Sequence, residues 1–401
     1  MSQDPERDLA TALIHHPYRP PEGFEAPQVG VHKASTVIFP NAAASRARDW
    51  RDKRGYTYGL HGTPTTFTLE ERIATLTGAR HCVLAPSGLA AVALVDQALL
   101  GAGDEVLLPE NVYGPSRELA RTELVRWGIT HRLYDPLDVA SLAAAITPRT
   151  KLVWLEAPGS VTMEFPDLAG LVAVARERGV ATAMDDTWGA GVAIDGFALG
   201  IDIVMQALTK FASGGGDVLM GAVTTRSDAL HERLKLTHMH LGLGVAGNDA
   251  ELVLRSLPTL ALRYHAQDAA GRELAAWMAT QPPVHRVLHP ALEGSPGHAH
   301  WRAHAKAAAG LFSVLFDERC TAGQVDRFVD ALRLFRIGYS WAGPVSLVVP
   351  YPLHAMRDAA ALQRHGLRGH LVRFSVGLEG VGALREDLAQ ALAAAFGTAG
   401  T

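Results

Sequence analysis

Lys210 lies in IVMQALTKFASGGGDVLMGAV, residues 203–223, between two apolar runs. An amine flanked by segments that read as buried strands loses hydration. Its pKa falls, and the neutral form is the one that attacks carbonyl groups. The glycines after it leave room for a flat ligand to lie against the backbone. The same stretch also fits a surface lysine at a strand end. Asp185, in MDDTWGAG, falls at the edge of the apolar run VATAMDD. Open α/β sheets bind ligands at such strand ends, where a carboxylate could pair with a protonated ring nitrogen. An aspartate there could equally cap a turn.

In LAPSGLAAVAL, residues 84–94, a strand gives way to a helix at Pro86-Ser87-Gly88. The free N–H groups of a helix start suit a phosphate. Thr209, just before Lys210, could add a hydroxyl to the same phosphate. Tyr113, in PENVYGPS, follows another strand and could stack on a ring face or pack as a loop aromatic. A carbonyl for the lysine, a basic ring nitrogen for the aspartate and a phosphate for the helix start describe one small molecule. Pyridoxal 5′-phosphate (PLP) carries all three and acts as an electron sink.

The elements that must hold these groups follow from the pattern of the chain. Residues 1–55 are rich in Pro, Gly and charge without sustained periodicity, which predicts an extended arm. From about residue 64 to 270, short apolar runs alternate with helical ones. Helices are expected over 68–77, 88–100, 115–127 and 168–178. Strands are expected over 81–85 and in GAGDEVLLP, KLVWLEAP, VATAMDD, DIVMQAL and LMGAVTT. Strands alternating with helices of this length predict a mostly parallel sheet covered on both faces. Beyond Pro258, helices rich in Ala, Arg and His alternate with the short strands GLFSVLF, SLVVP and LVRFSVGL, which predicts a smaller α+β domain. The domains expected are an arm over 1–60, a cofactor-binding large domain over 61–257 and a small domain over 258–401.

The 401 residues carry a net charge of −4 and are 48% hydrophobic and 19% charged. No basic field points to nucleic acid or an anionic membrane. The opening MSQDPERDLA lacks the apolar core of a secretory signal, and no apolar run is long enough to suggest a membrane span. Cys82 and Cys320 are the only cysteines, which argues for a reducing, cytoplasmic setting and against a disulfide or structural zinc framework.

Eight blocks, YTYGLHGTPT, PSGLAAVA, NVYGPS, LEAPGSVTMEFPD, DDTWGAG, QALTKFASGGGD, YSWAG and VRFSVGLE, occur in an order that resembles the Cys/Met-metabolism PLP-dependent enzymes of fold type I. LEAPGSVTME and YSWAG resemble the branch that cleaves cystathionine by β-elimination. The resemblance runs from about Tyr56 to the C-terminus. It implies a PLP-transferase-like, aspartate aminotransferase-type large domain and homotetramers built from tight dimers, with the arm reaching the neighbour's site. It implies Lys210 as the Schiff-base lysine, Asp185 as the pyridinium partner and Tyr113 as the ring-stacking tyrosine. Gly88, Leu89 and Thr209 match the phosphate donors, and Tyr58 a phosphate-binding tyrosine lent by the adjacent subunit. Arg373 matches the arginine that grips the substrate α-carboxylate, and Ser340 and Trp341 the segment lining the pocket near it.

Two positions depart from that pattern. Where the family often has an arginine in its phosphate clamp, this chain has Leu60, followed by His61. After the lysine, the Ser213-Gly214-Gly215-Gly216 run lacks the usual His or Ser, which would widen the pocket.

Other readings compete. GLGVAG, residues 242–247, fits a dinucleotide-binding G-x-G-x-x-G but follows no clear buried strand. His298, His300 and His304, like His238 and His240, lack the spacing and partners of a zinc site, so no metal is expected. Other sulfur amino-acid lyases, a γ-replacing enzyme and a non-catalytic, lyase-like binding protein are the further alternatives. Lys210, Asp185 and Arg373 together argue against the last.

Overall fold

The computed structural model describes Ile14, residues 17–18 and residues 21–397. The MSQDPERDLA stretch and much of the early arm lie outside the described residues.

Seven strands form the larger sheet: β1 (His81–Ala85), β2 (Glu105–Pro109), β3 (Thr130–Tyr134), β4 (Thr150–Glu156), β5 (Ala181–Asp185), β6 (Ile203–Gln206) and β7 (Gly221–Thr225). Their order is β1-β7-β6-β5-β4-β2-β3. β3, β2, β4, β5 and β6 run parallel, and β7 is antiparallel to both β6 and β1. Successive residues of a strand face opposite sides of the sheet. Val106 and Leu108 therefore enter one apolar core and Leu107 the other. Helices Gly88–Leu99 and Leu168–Glu177 cover the two faces, burying Leu94 and Val95 on one side and Leu171 and Ala175 on the other.

The predicted α/β architecture with a mostly parallel sheet is present. β3 and the helix Val139–Ala145 are additions to the elements expected from sequence. β3 is an edge strand that alternates exposed and half-buried residues, so it offers no apolar run to read. The first predicted helix starts earlier, at Pro64, where Thr63 and Thr66 cap each other's backbone. The helix expected over 115–127 begins at Gly114 and widens into a π-type turn over Ala120–Leu124.

A second sheet joins β8 (Val284–Leu288), β9 (Leu311–Phe316), β10 (Arg336–Ile337), β11 (Leu347–Tyr351) and β12 (His370–Ser375) in the order β10-β11-β12-β9-β8. Its core is aromatic: Phe312 stacks on Phe374, and Phe316 on Phe396. Helix Leu260–Met278 ties the two layers together. Its Tyr264 enters the large core and its Leu274 and Met278 the small one. Among the described residues no helix is long and apolar enough to cross a membrane.

Helix Gly88–Leu99 carries a buried acid. Asp96 accepts a hydrogen bond from Trp154 Nε1 at 2.8 Å, and burial pushes its carboxyl up to about 7. The unfolded chain ionises this group near pH 4 and the folded chain does not, so its contribution to stability is complete at low pH and declines between pH 4 and 7. Asp96→Asn keeps an acceptor for Trp154 and removes the titration. We expect the variant's stability relative to the wild type to rise across that window, by at most about 4 kcal/mol. Denaturant melts at pH 4.5 and 7.5 check it, and a pH-independent difference contradicts it.

Candidate active site

The carboxyl ends of β4, β5 and β6 open onto one cavity of about 220 Å³. The turn after β6 delivers Lys210, half-buried, whose Nζ donates to Ser340 Oγ at 2.7 Å and lies 5.5 Å from the Trp341 ring centre. Burial and the neighbouring Arg373 lower the amine to about 8, against the pull of Asp185. An ammonium so weakened is close to the protonation balance of a base near neutral pH.

Asp185 ends β5 with Oδ1 fixed by Thr187, which donates from its backbone N at 3.0 Å and from Oγ1 at 2.5 Å. Burial raises the carboxyl, while Thr187 and Lys210 favour the charged form. Directly across the ladder stands Glu156 at the end of β4. Burial and the charge on Asp185 push Glu156 well above its ordinary value. Both carboxyls are raised by burial, and Glu156 further by the charge on Asp185, whereas Thr187 and Lys210 favour the charged form of Asp185. Sequence reasoning missed Glu156 and Thr187. The strand-end rule that singled out Asp185 applies equally to the glutamate of KLVWLEAP, which was the available signal.

Glu156 Oε2 also accepts the backbone N–H of Tyr113 at 2.8 Å. Tyr113 thereby borders the cavity from the loop after β2, its phenol pushed up by burial and by Asp185. Ser87 caps helix Gly88–Leu99 by accepting from Ala90 N, which leaves the N–H groups of Gly88 and Leu89 at the cavity edge. Gly88 is there for space: a Cβ would come 2.6 Å from that of Ala207, in the turn before Lys210. Thr209 lines the cavity too. Its hydroxyl donates to Met220 O at 3.2 Å and accepts from Met220 N at 3.1 Å, which joins this turn to β7.

Arg373 enters from β12, buried at 6% exposure, with Nη2 donating to Ser340 O at 3.0 Å and Nε left without a partner. A buried guanidinium with a free N–H is a seat for a carboxylate. The Tyr351 ring lies 5.4 Å from its centre. Ser340 and Ala342 hold left-handed backbone (φ 89° and 65°), which turns Trp341 into the cavity.

The cavity thus brings together Lys210, Asp185, Tyr113, Gly88, Leu89, Thr209, Trp341 and Arg373, with Ser340 held against Lys210. Tyr58 is not among its lining residues. It is 47% exposed and pairs with Thr36 in the arm. Leu60 and His61 also stand apart from it, in a small polar recess beside Lys235 and His238. Burial and Lys235 push His61 down, so it is poorly suited to replace an arginine. GLGVAG joins two helices, Asp228–Leu241 and Gly247–Ser256, rather than a strand and a helix.

A family model described as Cys/Met metabolism PLP-dependent enzyme matches residues 10–393. The cystathionine β-lyase of Bordetella avium is 35% identical over 402 residues, covering 98% of this chain and 99% of its own. That of Salmonella typhimurium is 36% identical, covering 90% and 92%. A solved structure of cystathionine γ-synthase from Xanthomonas oryzae superposes with a TM-score of 0.85 at 30% identity, covering 92% and 93%.

Proposed function

Because the chain belongs to the Cys/Met-metabolism PLP-dependent enzymes, we propose that it is a carbon–sulfur β-lyase converting L-cystathionine to homocysteine, pyruvate and ammonia. One observation carries this reading: a lysine amine lowered to about 8 shares a single cavity with a buried carboxylate, a free helix start and an unpaired arginine N–H. The donor set fits the cofactor. Lys210 suits its aldehyde, Asp185 its ring nitrogen, and the N–H groups of Gly88 and Leu89 its phosphate, which the Thr209 hydroxyl would join by exchanging Met220 O for a phosphate oxygen.

PLP, when bound, supplies a carbonyl to hold the amino acid and a ring that draws electrons from Cα. The protein does the rest. Arg373 grips the α-carboxylate and, with Trp341 and Ser340, sets the orientation of the substrate. Lys210 Nζ takes the α-proton, and its bond to Ser340 Oγ aims the amine. Asp185, fixed by Thr187, would offer its carboxylate to the ring nitrogen, and burial disfavours a second charge on Glu156 beside it. Proton return to the departing sulfur falls to Lys210 or to the Tyr113 phenol, which is held protonated.

The working assembly is a homotetramer in the cytoplasm, in which Tyr58 completes the neighbour's phosphate site. Exposed Phe24, Ile38, Tyr56 and Tyr58 along the arm support that contact. Within the chain, residues 1–60 act as this arm, 61–257 as the cofactor domain and 258–401 as the small domain.

The likeness to a γ-synthase favours one rival, γ-elimination or γ-replacement on the same scaffold. Product analysis separates them. With cystathionine the expected products are pyruvate and homocysteine. Release of 2-oxobutyrate and cysteine overturns the β assignment.

A further inference from the structure

Five residues of the loop between β4 and helix Leu168–Glu177 form one wall of the cavity: Pro158, Gly159, Ser160, Val161 and Met163. Val161 and Met163 have φ of 67° and 59°, left-handed backbone that costs a branched or long side chain about 1–3 kcal/mol. Such a shape persists only where its surroundings impose it. Glu164, at the end of this wall, is buried and paired with Arg357, Nη1 to Oε1 at 2.9 Å and Nη2 to Oε2 at 3.0 Å. Both side chains are at most 2% exposed. Arg357 Nη2 also donates to Thr162 Oγ1, which in turn donates to Glu164 Oε2 at 2.7 Å. Burial alone would raise the Glu164 carboxyl, but Arg357 and the hydrogen bonds from Thr162 and Asn111 outweigh it and hold it low.

Asn111 connects this network to the loop after β2 that carries Tyr113. Its Nδ2 donates to Glu164 Oε2 at 3.1 Å and its carbonyl accepts Ser160 N at 2.9 Å. A Cβ on Gly159 would come 1.9 Å from the same Nδ2, so the wall is pressed onto Asn111. Two residues on is Tyr113. The segment carrying Arg357 grips this run again nearby. Arg117 donates to Met356 O at 2.9 Å, Arg364 reaches Glu110 at 2.8 Å and Asp135 at 2.9 Å, and His365 meets Glu110 at 2.7 Å. Glu110, Asp135 and His365 converge closely enough for a metal, but the Arg364 guanidinium already bridges both carboxylates. Stability is a poor explanation for the Arg357–Glu164 pair, because apolar side chains of similar volume usually serve a core as well or better.

We propose that Arg357 is a positioning residue: from the small-domain side it holds the 158–163 wall through Glu164 and Thr162, and so sets how tightly an amino acid is seated. The proposal rests on the amino-acid site assigned above. Three variants test it: Arg357→Lys, Arg357→Met, and the double variant Arg357→Met/Glu164→Gln, which leaves no buried charge. The readouts are the denaturation midpoint, PLP retained after gel filtration, and glycine binding followed by the absorbance of the PLP-loaded protein.

Arg357→Met should lose stability and bind glycine about tenfold or more weakly, as displaced positioning groups do. The double variant should recover most of the midpoint and retain PLP, yet remain about tenfold weak for glycine. Arg357→Lys, which keeps the charge without the fork, should fall between and covers the case in which Arg357→Met does not fold. Wild-type glycine affinity in the double variant overturns the proposal, leaving Arg357 a structural clamp. A wild-type protein that holds PLP but never responds to glycine fails the amino-acid reading itself, and the proposal with it.

Discussion

Replacing Lys210 with alanine is expected to reduce pyruvate release by at least about 10³-fold while leaving the fold intact. The size of the effect follows from two roles resting on one atom. Nζ is the group that would hold the cofactor's aldehyde, and among the described residues it is the only amine lining the cavity that could take the α-proton. Ser340 Oγ, its hydrogen-bond partner, cannot act as a base of comparable strength. The structural cost is small, because Lys210 contributes one side-chain hydrogen bond and a half-buried stem. A melting midpoint near that of the wild type, measured beside the rate, separates lost chemistry from lost structure. Full lyase activity in this variant would remove Lys210 from its role.

The second large effect is expected at Asp185. Asp185→Ala should keep some cofactor, because the helix start at Gly88 and Leu89 is untouched, but lose about 10²–10³-fold in kcat. The carboxylate is pinned by both donors of Thr187 and so needs no reorganisation to face a positive ring nitrogen. Glu156 cannot take over, since burial disfavours its charge and its Oε2 is already engaged by Tyr113 N. Asp185→Asn retains both Thr187 contacts without the charge. If charge is the point, it should resemble Asp185→Ala in kcat, measured at saturating PLP. Unchanged kinetics in both variants would take Asp185 off the site.

Much of this site is legible in the sequence because of where parallel sheets place their ligands. Lys210, Asp185 and the Gly88 helix start each follow an apolar run too short to be a helix, and the ends of β6, β5 and β1 bring them to one opening. The helix start at Gly88 is readable from the strand-to-helix change, whereas the contact with Ala207 that requires a glycine there appears only in the structure. Arg373 and Ser340 were reachable only through the resemblance to a family. Locally, VRFSVGL reads as one more small-domain strand.

What escaped has physical causes. Glu156 ends KLVWLEAP as Asp185 ends VATAMDD, but only the register that sets the two side by side shows that their charges interact. Arg357 lies in YPLHAMRDAA, a stretch of mixed character with no sustained periodicity. Its burial is created by Glu164, which stands 193 residues earlier in the chain. β3 lacks an apolar run because it lies at the sheet edge. Tyr58 lies outside the cavity, exposed and bridged to Thr36, and so joins no cofactor-binding group among the described residues.

The central claim is a covalent bond between the amine of residue 210 and a vitamin B6 aldehyde. Borohydride reduction of the protein incubated with PLP, followed by peptide mass mapping, tests it most directly. The prediction is a yellow protein and a single pyridoxyl adduct on the peptide containing Lys210, absent from Lys210→Ala. A colourless protein with no mass gain, or an adduct on another lysine that survives Lys210→Ala, would contradict it.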